Sequence, residues 1–219
     1  MTNLQTDKPV GTVQAGRARG QARKLAILDA AVRLFSERGF RSTGIQALAK
    51  QVGLTHVGLL HHFGSKEDLL RAVVARRDVE ERDLAPPVPP PTGVAGLRAL
   101  SLRGRQLVAN PLYARLYSVL IAENLDDADP LHDYFVSRYR RVRSSIGQSL
   151  REGQRSGEIR ADVDADRIAA EILAFIVGTQ WQWLLDHDGI DVNGAYERYL
   201  GRLIDDIAVK PSTSLPARP

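Results

Sequence analysis

The chain has 219 residues, a length for one or two domains, and its balance of 43% hydrophobic to 26% charged residues excludes wholesale disorder. It contains no cysteine, which excludes disulfides, thiolate zinc sites, iron–sulfur clusters and cysteine nucleophiles together. A net charge of +4 conceals an asymmetry: residues 1–77 hold 13 Lys/Arg against 5 Asp/Glu, and residues 78–219 hold 17 against 21, so the basic front half suits a polyanion and the acidic remainder does not.

Residues 1–20 are polar and unpatterned, with Arg17 and Arg19 but no apolar core of a secretory signal, and read as a flexible basic arm. Helical periodicity starts at about Gln21, where Leu25, Leu28, Val32 and Phe35 recur at three- and four-residue steps and Gly39 supplies a stop. A short helix is predicted from Gly44 to Gln51, with Thr43 as its cap, and a second from Thr55 to about His62 beyond a turn at Gly53. Ser65 and Asp68 form a capping box that opens a helix running to about Asp83. Prolines 86, 87, 89, 90 and 91 then favour an extended linker over 84–92.

Further helices are predicted over about 93–109, 111–125, 130–156, 164–187 and 192–208, with Asp164 and Asp191 as N-caps. Residues 209–219 read as a disordered tail. The fold class is all-α, about nine helices: a helix-turn-helix domain over 21–83 and a helical domain over 93–208. The longest strongly apolar run, Leu173–Val177, is far shorter than the roughly 20 residues of a membrane span, so a soluble, cytoplasmic protein is expected.

Two short helices joined by a tight turn behind a longer one form a helix-turn-helix, whose last helix enters the major groove. Ile45, Leu48, Ala49, Val52, Leu54, Leu59 and Phe63 are the apolar positions that hold the short helices in place. The series Arg23, Ile27-Leu28-Asp29-Ala30-Ala31, Leu34-Phe35, Glu37, Gly39-Phe40, Thr43, Ile45, Leu48-Ala49, Val52-Gly53-Leu54-Thr55, His62-Phe63, Ser65-Lys66-Glu67 and Leu69 resembles the tetracycline-repressor (TetR) family of transcriptional regulators. The resemblance covers nearly fifty contiguous residues. It implies a ligand-responsive, sequence-specific DNA-binding regulator, most often a repressor, that acts as a homodimer on a palindromic operator and is not an enzyme.

By the same resemblance Thr55, His56, Gly58 and His61 touch DNA, and Thr43 and Lys66 clamp phosphates. Leu60 and Gly44 stand where the family usually has hydroxyl donors, which leaves Arg17, Arg19 and Arg23 of the arm as candidates to supply the missing contacts. His56, His61 and His62 are separated by five, six and one positions, unlike the three- or four-residue spacing of helical metal ligands, so no metal or other cofactor is expected.

In the second domain Arg138, Arg140, Arg141 and Arg143 read as a solvated helix face. Helices 164–187 and 192–208 are apolar on more than one face, which asks for two partners; the family dimerises through its last two helices, and Gly178, Trp181, Leu200, Leu203 and Ile207 are the expected interface. Tyr113, Tyr117, Phe135, Tyr139 and Phe175 lie on helices that in this family surround a cavity for a small organic effector. Ordinary core is the other reading of these rings. A regulator without an effector, and a helical enzyme or carrier that keeps the fold, are the alternatives at the level of function.

Overall fold

The computed structural model describes residues 10–83 and 91–210. Its helices are α1 (Val10–Arg38), α2 (Ile45–Gln51), α3 (His56–Phe63), α4 (Lys66–Asp83), α5 (Gly93–Ala99), α6 (Ser101–Ala109), α7 (Pro111–Ala122), α8 (His132–Arg155), α9 (Ala165–Leu185) and α10 (Val192–Ile207). The only strand-like pairing among the described residues is an isolated bridge between Ile159 and Ala208. The fold is all-α, as the periodicity predicts.

Two elements differ from expectation. The helix predicted over 93–109 is two helices, because at Leu100 the ladder tightens: Leu100 N donates to Leu97 O at 3.0 Å and Arg103 N to Leu100 O at 2.9 Å, both three-residue bonds. The stretch expected as a flexible arm is helical from Val10 onward. Adding residues to an existing helix costs little once its nucleus exists, and no proline interrupts the chain between Val10 and Arg38. Residues 1–9 of the expected arm, 84–90 of the expected linker and 211–219 of the expected tail lie outside the described residues.

The chain divides into two compact units, residues 1–84 with 119–123, and residues 85–118 with 124–219. In the first, α1 turns Ile27, Ala30, Ala31, Leu34 and Phe35 inward, while Leu25, at the upstream edge of the stripe, stays exposed. Leu48, Ala49 and Leu59 from the short helices and Leu69, Leu70, Val73 and Val74 from α4 complete the core. Ser65 caps α4 as predicted, Asp68 N donating to Ser65 Oγ at 2.9 Å, but the box is half-formed: Asp68 Oδ2 accepts from Ser65 Oγ at 2.7 Å, while Ser65 N donates to Phe63 O at 2.9 Å.

The second unit has two apolar clusters. One gathers Leu97, Ile146, Leu150, Ile159, Ile168, Ile172, Ile204 and Ile207, and the other Ala114, Trp183, Val192, Tyr196 and Leu200. Asp164 and Asp191 cap α9 and α10 as predicted, accepting from Asp166 N and Arg167 N, and from Gly194 N. Taken whole, α9 is long and apolar enough by length and composition alone to pass as a membrane span, a test that a core helix passes equally well. Its apolar character has a local use, since Ile168, Ala169, Ile172, Leu173 and Trp183 are buried in the unit.

Candidate nucleic-acid interface and effector unit

The turn between α2 and α3 is held from both sides. Gly53 adopts φ +65°, the left-handed conformation a glycine reaches without strain. There Leu54 N reaches back to Ala49 O at 2.9 Å and Gly53 N to Lys50 O at 3.2 Å, a Schellman closure of α2. Arg23 Nη1 donates to the Val52 carbonyl at 3.0 Å, satisfying an acceptor at the negative end of that helix. Thr55 then caps α3, its Oγ1 accepting from Gly58 N at 3.0 Å. Position 58 is tight: a Cβ there would lie 3.2 Å from that oxygen.

With α3 fixed, its faces are assigned by burial. Leu59 is fully buried, and Leu60, His62, Phe63 and Gly58 are half-buried. His56, Val57 and His61 project outward, and Val57 is 75% exposed. Thr55, His56 and His61 thus reach solvent as the sequence expects, whereas Val57 has no place among the predicted contacts. Its signal appears only when burial shows which face it occupies.

Thr43 is corrected. It is 1% exposed, and its hydroxyl donates inward, to Gly39 O at 2.6 Å with Leu34 O at 3.3 Å. It cannot reach a phosphate, and the N-cap of α2 is Gly44, exposed and without a side-chain cap. The hydroxyl serves to close the α1–α2 loop. Lys66 is half-buried with its Nζ over the Phe40 ring at 4.2 Å, and burial lowers its pKa against the pull of Glu67 and Glu123. Arg17 and Arg19 are exposed on α1.

A residue that the sequence reading missed supports this loop. Glu123 accepts from Phe40 N at 2.7 Å and Arg41 N at 3.2 Å, while Arg41 Nη2 donates to the Glu123 carbonyl at 3.1 Å. Gly39, at φ +81°, leaves the room: a Cβ there would collide with the Glu123 carboxylate.

In the second unit Tyr117 and Phe135 meet edge-to-face at 5.9 Å. Tyr134, absent from the expected set, joins them through a 5.1 Å edge contact with Phe135 and a 2.9 Å bond between its hydroxyl and that of Tyr117. Arg138 lies over the Tyr117 ring at 4.8 Å. From α9, Gln180 Nε2 donates to Ser118 Oγ at 2.9 Å and Ala114 O at 3.1 Å on α7. Tyr113 and Tyr139 are half-buried, and burial raises the Tyr139 phenol despite the neighbouring Arg138. The ring contacts of Phe175 are instead with α10: it stacks on Tyr199 at 4.0 Å and meets Tyr196 edge-on at 5.2 Å.

Among the expected interface residues, Leu200 at 3% and Ile207 at 1% exposure belong to the core of their own unit, and Leu203 packs against it. Their apolar periodicity serves the protomer, so Leu200 and Ile207 are removed from the interface. Gly178 and Trp181 differ: Gly178 has open space beside it and Trp181 is exposed. They continue an outward stripe on α9 formed by Ala170, Ala174 and Leu185.

Residues 27–73 match the family model for bacterial regulatory proteins of the tetR family, and residues 126–208 match the model for the C-terminal part of BetI-type transcriptional repressors. The chain belongs to the TetR family. It is 24% identical over 213 residues to the HTH-type transcriptional regulator TtgR of Pseudomonas putida, covering 91% of this chain and 98% of that one. A TetR regulator from Chloroflexus aurantiacus has the same fold, with a TM-score of 0.73 at 24% identity over 88% of this chain and all of that one. A transcriptional regulator from Saccharomonospora viridis, solved in complex with choline, aligns with a TM-score of 0.65 at 25% identity, covering 87% of this chain and 99% of the other. The match over residues 27–73 falls within α1–α4, the unit that contains the two short helices and the turn at Gly53.

Proposed function

We propose that this TetR regulator is a cytoplasmic, non-enzymatic homodimeric repressor that binds a palindromic operator and leaves it when a small organic effector occupies the second unit. The observation that carries the reading is the α2–α3 pair: its turn is closed by the Gly53 and Leu54 amides and by the Thr55 cap, and α3 holds His56, Val57 and His61 exposed to solvent. Thr55, with the α3 face His56, Gly58, Leu60 and His61, lies against base edges or phosphates, while the Gly44 backbone, Lys66, Arg17, Arg19 and the free donors of Arg23 serve the phosphates. Two such helices related by a twofold axis require two equal half-sites.

The effector reading rests on the Tyr117, Tyr134 and Phe135 cluster, with Tyr113 and Tyr139 on the same two helices. Apolar ring faces joined to phenolic hydroxyls suit a small, mainly apolar molecule. The choline bound by the Saccharomonospora viridis relative agrees with a small organic effector as a class. The stripe Ala170, Ala174, Gly178, Trp181 and Leu185 is the dimer face.

The test is selection of bound fragments from genomic DNA at physiological salt, followed by release of the selected operator with a panel of small organic molecules. A palindromic consensus is expected, with log affinity falling linearly in log salt as counterions leave the phosphates. Released operator identifies the effector, and Tyr117→Ala should then weaken release without weakening the ligand-free complex. Selection that returns no consensus above random fragments overturns the reading.

A further inference from the structure

Among the polar side chains of α3 only imidazoles occur, His56, His61 and His62, and the helix holds no Arg, Lys, Asn or Gln. Those absent residues are the ones that read a base edge with two parallel hydrogen bonds. Hydrogen bonding alone therefore gives this helix little discrimination. At the centre of its outward surface stands Val57, 75% exposed in the first turn, with His56 beside it and Leu60 and His61 one turn on. A Cβ at the half-buried Gly58 would point towards Thr55 Oγ1 and Leu54, so the outward face of this turn is formed by His56 and Val57.

We propose that Val57 is a specificity-determining residue that packs against the 5-methyl group of a pyrimidine in the operator's major groove. In that groove the methyl is the one apolar group that a base pair presents, and it separates thymine from cytosine. A β-branched side chain on a helix is held to one dominant rotamer, so Val57 meets the methyl without losing side-chain freedom. The neighbouring imidazoles and the Thr55 hydroxyl set the register in which the methyl is met. By the same chemistry, 5-methylcytosine at that position substitutes for thymine, and unmodified cytosine does not.

This inference rests on α3 being the operator-reading helix, and its test separates the two. Each thymine of one half-site of the selected operator is replaced in turn by deoxyuridine, which removes only the methyl. One replacement should weaken wild-type binding about fourfold, the value of one buried methyl group, and the same change in both half-sites should compound it. Val57→Ala should weaken binding to the thymine operator by a similar factor and abolish the difference between thymine and uracil at that position. Val57 is solvent-exposed, so the variant should fold as wild type, and unchanged far-ultraviolet circular dichroism and thermal midpoint check this. Wild-type protein that binds the operator but is insensitive to every deoxyuridine overturns the inference while leaving the operator reading intact. A sensitivity that persists unchanged in Val57→Ala assigns the methyl to another residue and also overturns it. Failure to bind any operator removes both.

Discussion

Tyr196 lies on α10 with 1% of its surface exposed, its ring pressed against Gly104 of α6, where a Cβ would stand 3.3 Å from the ring carbons. Burial pushes its phenol up to about 12, against the smaller opposing pull of Arg103. An unfolded tyrosine ionises near pH 10, so above that pH the unfolded chain loses a proton that the folded protein keeps. The sign is then fixed: stability contributed by the neutral phenol is whole below about pH 10 and declines as pH rises towards about 12. At pH 11 the loss from this one group is about 1.4 kcal/mol, with Tyr139 and Tyr199 shifted in the same direction. Tyr196→Phe should match wild type within a few tenths of a kcal/mol at pH 8 and exceed it by about that loss at pH 11, in urea unfolding followed at both values. Equal losses in the two proteins would show that the phenol is not the source. Thr43 teaches the complementary point at this scale. A threonine ahead of a short helix looks like a cap or a phosphate donor from sequence, and only the Leu34 and Gly39 carbonyls around it reveal that its proton is already committed.

Elements bounded by local chemistry were legible, and elements bounded by distant chemistry were not. Thr55, Ser65, Asp164 and Asp191 cap helices because each bonds amides two or three residues ahead, a pattern visible in the chain itself. The kink at Leu100 escaped notice because it comes from a change of ladder spacing with no proline to announce it. Glu123 could not be read at all, since its partners Phe40 and Arg41 are more than eighty positions away. Yet the α1–α2 loop depends on it. Its carboxylate answers two backbone amides, and charge-assisted bonds of this kind contribute about 1.5–3 kcal/mol. Glu123→Ala should therefore raise the hydrogen-exchange rates of the Phe40 and Arg41 amides at least tenfold and weaken operator binding, because that loop leads into α2. Glu123→Gln keeps one acceptor oxygen and should lie between. Unaltered exchange at both amides in Glu123→Ala would mean that the loop is held by its own backbone and by Thr43.

For the molecule as a whole, the apolar pattern of the last two helices was legible while its division between core and surface was not. Sequence periodicity marks Leu200, Leu203, Ile207, Gly178 and Trp181 alike as apolar or small, but says nothing of which neighbour each one faces. The structure gives Leu200 and Ile207 to the protomer and leaves Ala170, Ala174, Trp181 and Leu185 outside it, with Leu185 85% exposed. These positions recur at steps of four, seven and four along α9, one face of one helix, and the small residues in its first half permit a close crossing with a second copy. A charge at Ala174 should be harmless to the isolated protomer, where the position is exposed, and costly in a dimer, where it would be buried without a partner. Ala174→Glu is thus expected to sediment as a monomer at micromolar concentration, with helical content unchanged, while wild type sediments as a dimer. Operator binding should follow: a monomer engages one half-site without the effective concentration that the first half-site lends to the second, so affinity for the full palindrome should fall at least a hundredfold. Affinity for a single half-site should not change. A fully dimeric Ala174→Glu protein would place the twofold axis on a different face, and a wild-type monomer would refute the paired reading of the operator.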